Sequence, residues 1–116
     1  MNAEHEIGKP VKRSDLRTIS VGADGNYAPH PIEPASVYLV RPNGYVRSVR
    51  LIVGHDPADC EAWMAWEFIT GRYLASHGTR AGALKAGLNR MAKHGEERYV
   101  QVLVESTAKY GKVNSR

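Results

Sequence analysis

Cysteine and long apolar runs are nearly absent from this 116-residue chain, and both absences limit what it can be. A single cysteine, Cys60, excludes an internal disulfide and a metal centre built from several thiolates of one chain. No stretch approaches the roughly 20 apolar residues that span a bilayer. The polar residues 1–10 also lack the apolar segment of a signal peptide. We therefore expect a cytoplasmic protein that makes no membrane contact.

Signatures of catalysis are missing as well. The five histidines are scattered, and the serines lack the glycine pattern of a nucleophile elbow. One group of neighbouring side chains has neither the spacing of a zinc site nor the oxygen-rich loop of a calcium site. That group is His55, Asp56, Asp59 and Cys60. We expect no catalytic residue, no metal and no cofactor; an enzyme whose residues converge only in space is the third-ranked alternative.

Carboxylates are absent between positions 68 and 95, and this absence is the most informative one. The preceding residues 51–67 have the opposite composition, with four carboxylates and no lysine or arginine. The whole chain has a net charge of +4 and a pI of about 9.4. A sorted basic surface attracts polyanions, whereas mixed charges mainly keep a protein soluble. The basic residues of the carboxylate-free stretch are Arg72, Arg80, Lys85, Arg90 and Lys93.

The length and the distribution of apolar residues indicate one domain flanked by two polar ends. Residues 1–16 are charged and predict a flexible basic arm, and residues 106–116 predict a basic tail. The domain then covers residues 17–105. Around the start of this domain the sequence predicts a short early strand at residues 16–21 and a turn at 22–26. The proline-rich residues 29–34 predict an extended connector.

A β-hairpin is the clearest pattern in the middle of the chain. Residues 37–41 and 45–53 are rich in β-branched and aromatic side chains. The turn signal Pro42-Asn43-Gly44 separates them, because glycine takes a positive φ without steric cost.

Two helices and a late strand follow in our prediction. Asp56 and Pro57 have the residue types of a helix start, so we predict a first helix from there to about residue 75. This helix is apolar on two sides, and its second stripe includes Met64 and Phe68. A second helix runs from the cap Thr79 to about residue 94, and the alternation in residues 98–105 predicts a strand.

These elements predict an α+β fold. A small, mainly antiparallel sheet consists of the hairpin and the late strand, with the early strand as a further candidate. Two helices pack on one face of this sheet.

The predicted binding residues lie on the second helix and on the hairpin. Leu84, Leu88 and Met91 form the apolar stripe of that helix, so its basic side chains face outward. We expect a non-enzymatic accessory protein that binds the phosphate backbone of nucleic acid through this surface. The predicted binding residues are Lys85, Asn89, Arg90, Lys93 and Arg80 on the helix, and Arg41, Arg47 and Arg50 on the hairpin.

A protein-binding role is the alternative to nucleic-acid binding, and it belongs to a different class of function. Met64 and Phe68 would form an interface, because methionine and aromatic side chains are favoured at interface cores. Under this alternative the chain is an inhibitor or adaptor of phage or mobile-element type that acts on a larger complex. Its partner would be an acidic protein surface, or a second copy of the chain in a homodimer.

Overall fold

The computed structural model of the protein describes residues 4–21 and 23–115, apart from the side chains of Val21, Tyr27 and Cys60. Eight strands and two helices lie within these residues. The strands are β1 (Glu6–Ile7), β2 (Val11–Arg13), β3 (Arg17–Val21), β4 (Tyr27–Pro31), β5 (Ala35–Arg41), β6 (Val49–Asp56), β7 (Asp59–Glu67) and β8 (Tyr73–His77). The helices are α1 (Arg80–His94) and α2 (Glu96–Tyr110).

A single antiparallel sheet forms the centre of the protein, which confirms the predicted α+β class. Its strand order is β1-β5-β6-β7-β8, and β2 pairs with β5 beside β1. The predicted hairpin is present, and Gly44 in its connection has a φ of 89°. Its second strand begins at Val49 rather than at residue 45, so residues 42–48 form a longer loop than the predicted turn. The early strand, β3, pairs with β4 in a separate two-stranded ribbon instead of joining this sheet.

The predicted first helix is wrong, because residues 59–67 and 73–77 are the strands β7 and β8. Asp56 does act as a cap, but it caps a turn: its carboxylate accepts a bond from the Ala58 N–H at 2.8 Å. The end of β7 contacts apolar residues on both faces of the sheet. Ala65 packs on one face and Trp66 on the other. With both faces covered, the alternation that marks a half-exposed strand disappears.

The predicted late strand is also wrong, because residues 98–105 lie inside α2. Val100, Val102 and Val104 occupy every second position of this segment, a spacing typical of strands. The signals for a helix lie at its ends. Glu96 and Glu97 occupy the first turn and Lys109 the last, where they complement the helix dipole. Compared with the prediction, the observed sheet contains β7 and β8 in place of the first helix, and it lacks the late strand. Because the late strand is instead the helix α2, the number of helices is still two.

Each face of the sheet has its own apolar core. On the first face α1 packs its buried residues against β6, β7 and β8. This core includes Leu51, Val53 and Leu88, each at most 1% exposed. On the opposite face Trp66 and Phe68 pack with Leu16 and Ile52.

Both polar ends of the sequence contribute to the fold. The segment predicted as a flexible arm contains β1 and β2, which pair with β5. The segment predicted as a tail begins inside α2 and reaches Asn114, which is 7% exposed. The Asn114 amide donates to the carbonyls of Arg17 and Phe68 and accepts from the Arg17 N–H. These bonds hold the C-terminal segment against β3 and the loop that follows β7.

Candidate nucleic-acid interface

Helix α1 has well-defined ends and carries no carboxylate. The Thr79 side chain accepts a bond from the Gly82 N–H at 3.0 Å and so caps the first turn. Gly95 ends the helix with a φ of 85°, which favours glycine. Lys93 lies in the last turn, where its positive charge complements the dipole, and His94 is the last residue of the helix.

Three of the predicted residues form one exposed line, which we call the α1 ridge: Lys85, Asn89 and Lys93. Successive members are four residues apart, so each is offset by about 40° around the helix. The carbonyl of the Asn89 side chain lies 2.8 Å from Nε2 of His5, which leaves the Asn89 NH₂ group without a partner among the described residues. Within the same residues, neither lysine makes an ion pair or a side-chain hydrogen bond.

The other two predicted α1 residues lie away from the α1 ridge. Arg90 is about 60° beyond Lys93 around the helix. Its guanidinium donates to the Leu74 carbonyl at 2.8 Å, so it also ties α1 to strand β8. Arg80 is exposed in the first turn, about 140° from Lys85 in the other direction.

The hairpin arginines all have partners within the protein. Arg41 forms an ion pair with Glu6, and Arg47 forms one with Glu96 at 3.3 Å. Arg50 lies over the ring of Phe68 on the second face of the sheet, with its guanidinium carbon 4.0 Å from the ring centroid. The structure therefore does not bring these three arginines together with the α1 ridge.

Met64 and Phe68, the predicted interface residues, lie on the second face of the sheet. Phe68 is fully buried there, and Met64 packs beside the same core while it remains partly exposed. The two-sided apolar pattern of this segment reflects a strand covered on both faces, rather than a helix with a face left for a partner.

A cleft of about 240 Å³ lies beside α1, between its C-terminal half, α2 and the loop from β7 to β8. The sequence did not point to this cleft, because β7, β8 and α2 were assigned to the wrong type of element. Its polar lining residues are Glu67, Thr70, Arg72, Arg90, His94, Arg98 and the three tyrosines Tyr45, Tyr73 and Tyr99.

Glu67 is the buried carboxyl group of this cleft, with 4% of its surface exposed. Its Oε2 accepts from the backbone N–H groups of Ile69 at 2.6 Å and Thr70 at 3.2 Å, and its Oε1 accepts from the Tyr99 hydroxyl at 3.3 Å. Burial raises the pKa of Glu67 to about 7, although these bonds and the charge of Arg50 act in the opposite direction.

Burial also raises the pKa of two tyrosines of the cleft, Tyr45 and Tyr99. Tyr45 donates its hydroxyl to the carbonyl of Met91 at 2.8 Å, and burial, helped by the charge of Glu96, raises its pKa to about 12. Burial together with the charge of Glu67 raises the pKa of Tyr99 as well. Both hydroxyls therefore remain neutral donors at physiological pH.

Neither a metal centre nor a membrane-spanning helix is present among the residues that the structure describes. These residues contain no group of three or more His, Cys, Asp or Glu side chains that would hold a metal ion. The Asp56 carboxylate instead accepts a backbone bond in the turn between β6 and β7, and the Asp59 carboxylate accepts one from Glu61 at the start of β7. The side chain of Cys60 lies outside the described residues. Neither α1 nor α2 is long and apolar enough to cross a membrane.

Comparison with known proteins gives no relative from which a function carries over. The chain matches no protein family, and neither the curated proteins nor the solved structures contain a significant match.

Proposed function

We propose that this protein is a small non-enzymatic domain that binds the phosphate backbone of nucleic acid through the α1 ridge. The observation that carries the proposal is a pair of exposed lysines, Lys85 and Lys93, on a helix without a carboxylate. They are eight residues apart, which places them about 12 Å apart along the helix axis. Each lysine then neutralises a separate phosphate, and the NH₂ group of Asn89 donates between them.

The proposed binding is electrostatic and does not depend on the base sequence of the nucleic acid. Lysine is a flexible point charge that suits phosphate contacts and carries little base specificity. The Arg41 and Arg47 ion pairs are not part of this surface, because both guanidinium groups are already neutralised within the protein. We therefore expect a smaller footprint than the sequence suggested, with correspondingly weaker binding.

The test is charge reversal on the α1 ridge. Lys85→Glu combined with Lys93→Glu should weaken binding to a nucleic-acid 20-mer of random base sequence by at least 10-fold at 50 mM salt, measured by fluorescence anisotropy. The slope of log affinity against log salt should fall by about 2, since two phosphate contacts are lost. Circular dichroism should be unchanged, because both side chains are exposed.

A control of equal charge separates this surface from net charge alone. Lys109→Glu combined with Lys112→Glu makes the same change in net charge at the far end of α2 and beyond it. It should weaken binding much less than the α1 ridge variant. Equal losses in both variants, or no binding by the unaltered protein at 50 mM salt, would refute the proposal.

A protein-binding adaptor or inhibitor remains the second candidate, because α2 exposes apolar surface. Val104 is 61% exposed on the outer side of this helix, next to the partly exposed Val100. Affinity capture from a lysate with and without nuclease distinguishes the two candidates. Partners that survive nuclease treatment and are lost in a Val104→Glu variant would favour the adaptor.

A further inference from the structure

We propose that the cleft between α1, α2 and the β7–β8 loop is a second ligand site, which binds a small phosphate monoester with an apolar or aromatic body. This site is separate from the α1 ridge, so it does not depend on the proposed nucleic-acid binding. The proposal rests on the cations that line the cleft, its apolar walls and its size.

Three arginines line the cleft, and each keeps donors for a ligand. A guanidinium group has five N–H donors. Arg90 donates one hydrogen bond from its guanidinium to the Leu74 carbonyl, and Arg98 donates one to the Gln101 side chain at 3.0 Å. Arg72 is exposed and has no side-chain partner among the described residues.

The charge of the lining favours phosphate over a carboxylate. Arginine forks match phosphate oxygens in pairs, and three such groups at one cleft suit an anion that carries close to two charges. His94 adds a further donor at the C-terminal end of α1. Glu67 carries the one carboxyl group among the described lining residues, and its charge would oppose an anion.

Glu67 opposes an anion less than an exposed carboxylate would. Both of its oxygens already accept bonds, from the turn after β7 and from Tyr99 of α2. Burial raises its pKa to about 7, so a large fraction of the molecules carry it uncharged at neutral pH. Arg50 of β6 is the cation that acts on it from the sheet side.

The walls of the cleft are apolar and the space between them is small. Leu74, Met91, Val102 and Leu103 contribute to these walls, and Tyr73, 46% exposed, presents its ring. A volume of about 240 Å³ lies below the roughly 300–1,000 Å³ of most ligand pockets. It therefore suits a body of about one ring, with the phosphate at the arginines.

The test uses phenyl phosphate as the probe, with the full chain and isothermal titration calorimetry. We expect phenyl phosphate to bind at least 10-fold more tightly than inorganic phosphate, which lacks the ring, or phenol, which lacks the anion. Arg72→Gln and Arg98→Gln should each weaken binding at least 10-fold, which is about 1.4 kcal/mol, since each removes a hydrogen bond to a charged group. Glu67→Gln should tighten binding, because it removes the one carboxyl group among the described lining residues.

Two controls keep the outcome clear. Arg80→Gln removes another exposed arginine, one of α1 that does not line the cleft, and it should leave binding unchanged. The Lys85→Glu and Lys93→Glu variant should also retain phenyl phosphate, so failure at the α1 ridge and failure at the cleft are distinguishable. Phenyl phosphate that binds no more tightly than inorganic phosphate, or an equal loss in Arg72→Gln and Arg80→Gln, would overturn the proposal.

Discussion

Glu67 shows how a single residue connects three parts of the protein. Its carboxyl group holds the turn after β7 through two backbone N–H groups, and Tyr99 joins it from α2. Ionisation of this carboxyl group costs free energy, because only 4% of the residue is exposed to solvent. The raised pKa is the measurable consequence of that cost.

Stability should therefore fall as pH rises through the range in which Glu67 ionises. The pKa is raised from an ordinary value of 4.5 to about 7, so the folded state binds a proton that the unfolded state has already released. At about 1.4 kcal/mol per pK unit, this group costs about 3 kcal/mol of stability in total between pH 4 and pH 8. Above pH 8 no further loss comes from this residue.

Urea unfolding at pH 4, 6 and 8 measures this effect. In Glu67→Gln the amide keeps an oxygen for the turn but does not titrate. Relative to the unaltered protein, this variant should therefore become progressively more stable as pH rises. A difference that does not change with pH would show that Glu67 titrates normally in the folded protein.

At the scale of elements, α1 lies unusually close to strand β7. A side-chain carbon added at Gly87 would lie 3.0 Å from Cβ of Ala65 and 3.8 Å from Leu51 and Leu74. The small residues at both positions therefore allow helix and sheet to approach each other. Leu84, Leu88 and Met91 then fill the space on either side.

Gly87→Val should push α1 away from the sheet. Overpacking of this kind costs about 1–3 kcal/mol, which outweighs the small gain in helix propensity. Thermal unfolding followed by circular dichroism measures the loss. Ala86→Val, one residue earlier and partly exposed, is the matched control and should cost less than about 1 kcal/mol. An equal loss in both variants would mean that Gly87 is not a close contact.

These elements also show what the sequence could and could not reveal. Helix α1 was predictable because its cap, its single apolar stripe and its terminal glycine agree with one another. Strand β7 was not, because Ala65 and Trp66 are buried on opposite faces and leave no polar side to reveal the period. Helix α2 was missed because Val100, Val102 and Val104 favour strands when taken alone.

The candidate site was only partly predictable for a related reason. Exposure of Lys85 and Lys93 follows directly from the apolar stripe of their own helix. The partners of Arg41 and Arg47, in contrast, are Glu6 and Glu96, which are distant in sequence. Pairing between such residues depends on the tertiary fold, so charge counting along the chain overestimates the free positive surface.

At the scale of the whole molecule, Asn114 joins segments from both ends of the chain. Its side chain makes three hydrogen bonds, two with the backbone of Arg17 and one with the carbonyl of Phe68. Nearby, the Val113 N–H donates to the Ile69 carbonyl at 2.8 Å, and the Ile19 N–H donates to Gly71 at 2.9 Å. Together these bonds hold β3, the β7–β8 loop and the C-terminal segment as one unit.

Asn114→Ala should destabilise the protein by about 1–3 kcal/mol, because it leaves the Phe68 carbonyl, whose bond is buried, and the part-buried backbone groups of Arg17 without their partner. Urea unfolding gives the free energy of unfolding, and amide hydrogen exchange should report faster opening at residues 17–19 and 69–71. Ser115→Ala, at the exposed neighbouring position, should stay within about 0.5 kcal/mol. A loss in both variants alike would mean that the Asn114 bonds are not the cause.

The Asn114 contacts also bear on how long the native state persists. Arg17 and Asn114 are 97 residues apart, so closing this contact is entropically costly until the sheet has already assembled. Interactions that form after the folding transition state act mainly on the unfolding rate. The small cluster around Asn114 is thus expected to govern the lifetime of the folded protein far more than the speed with which it folds.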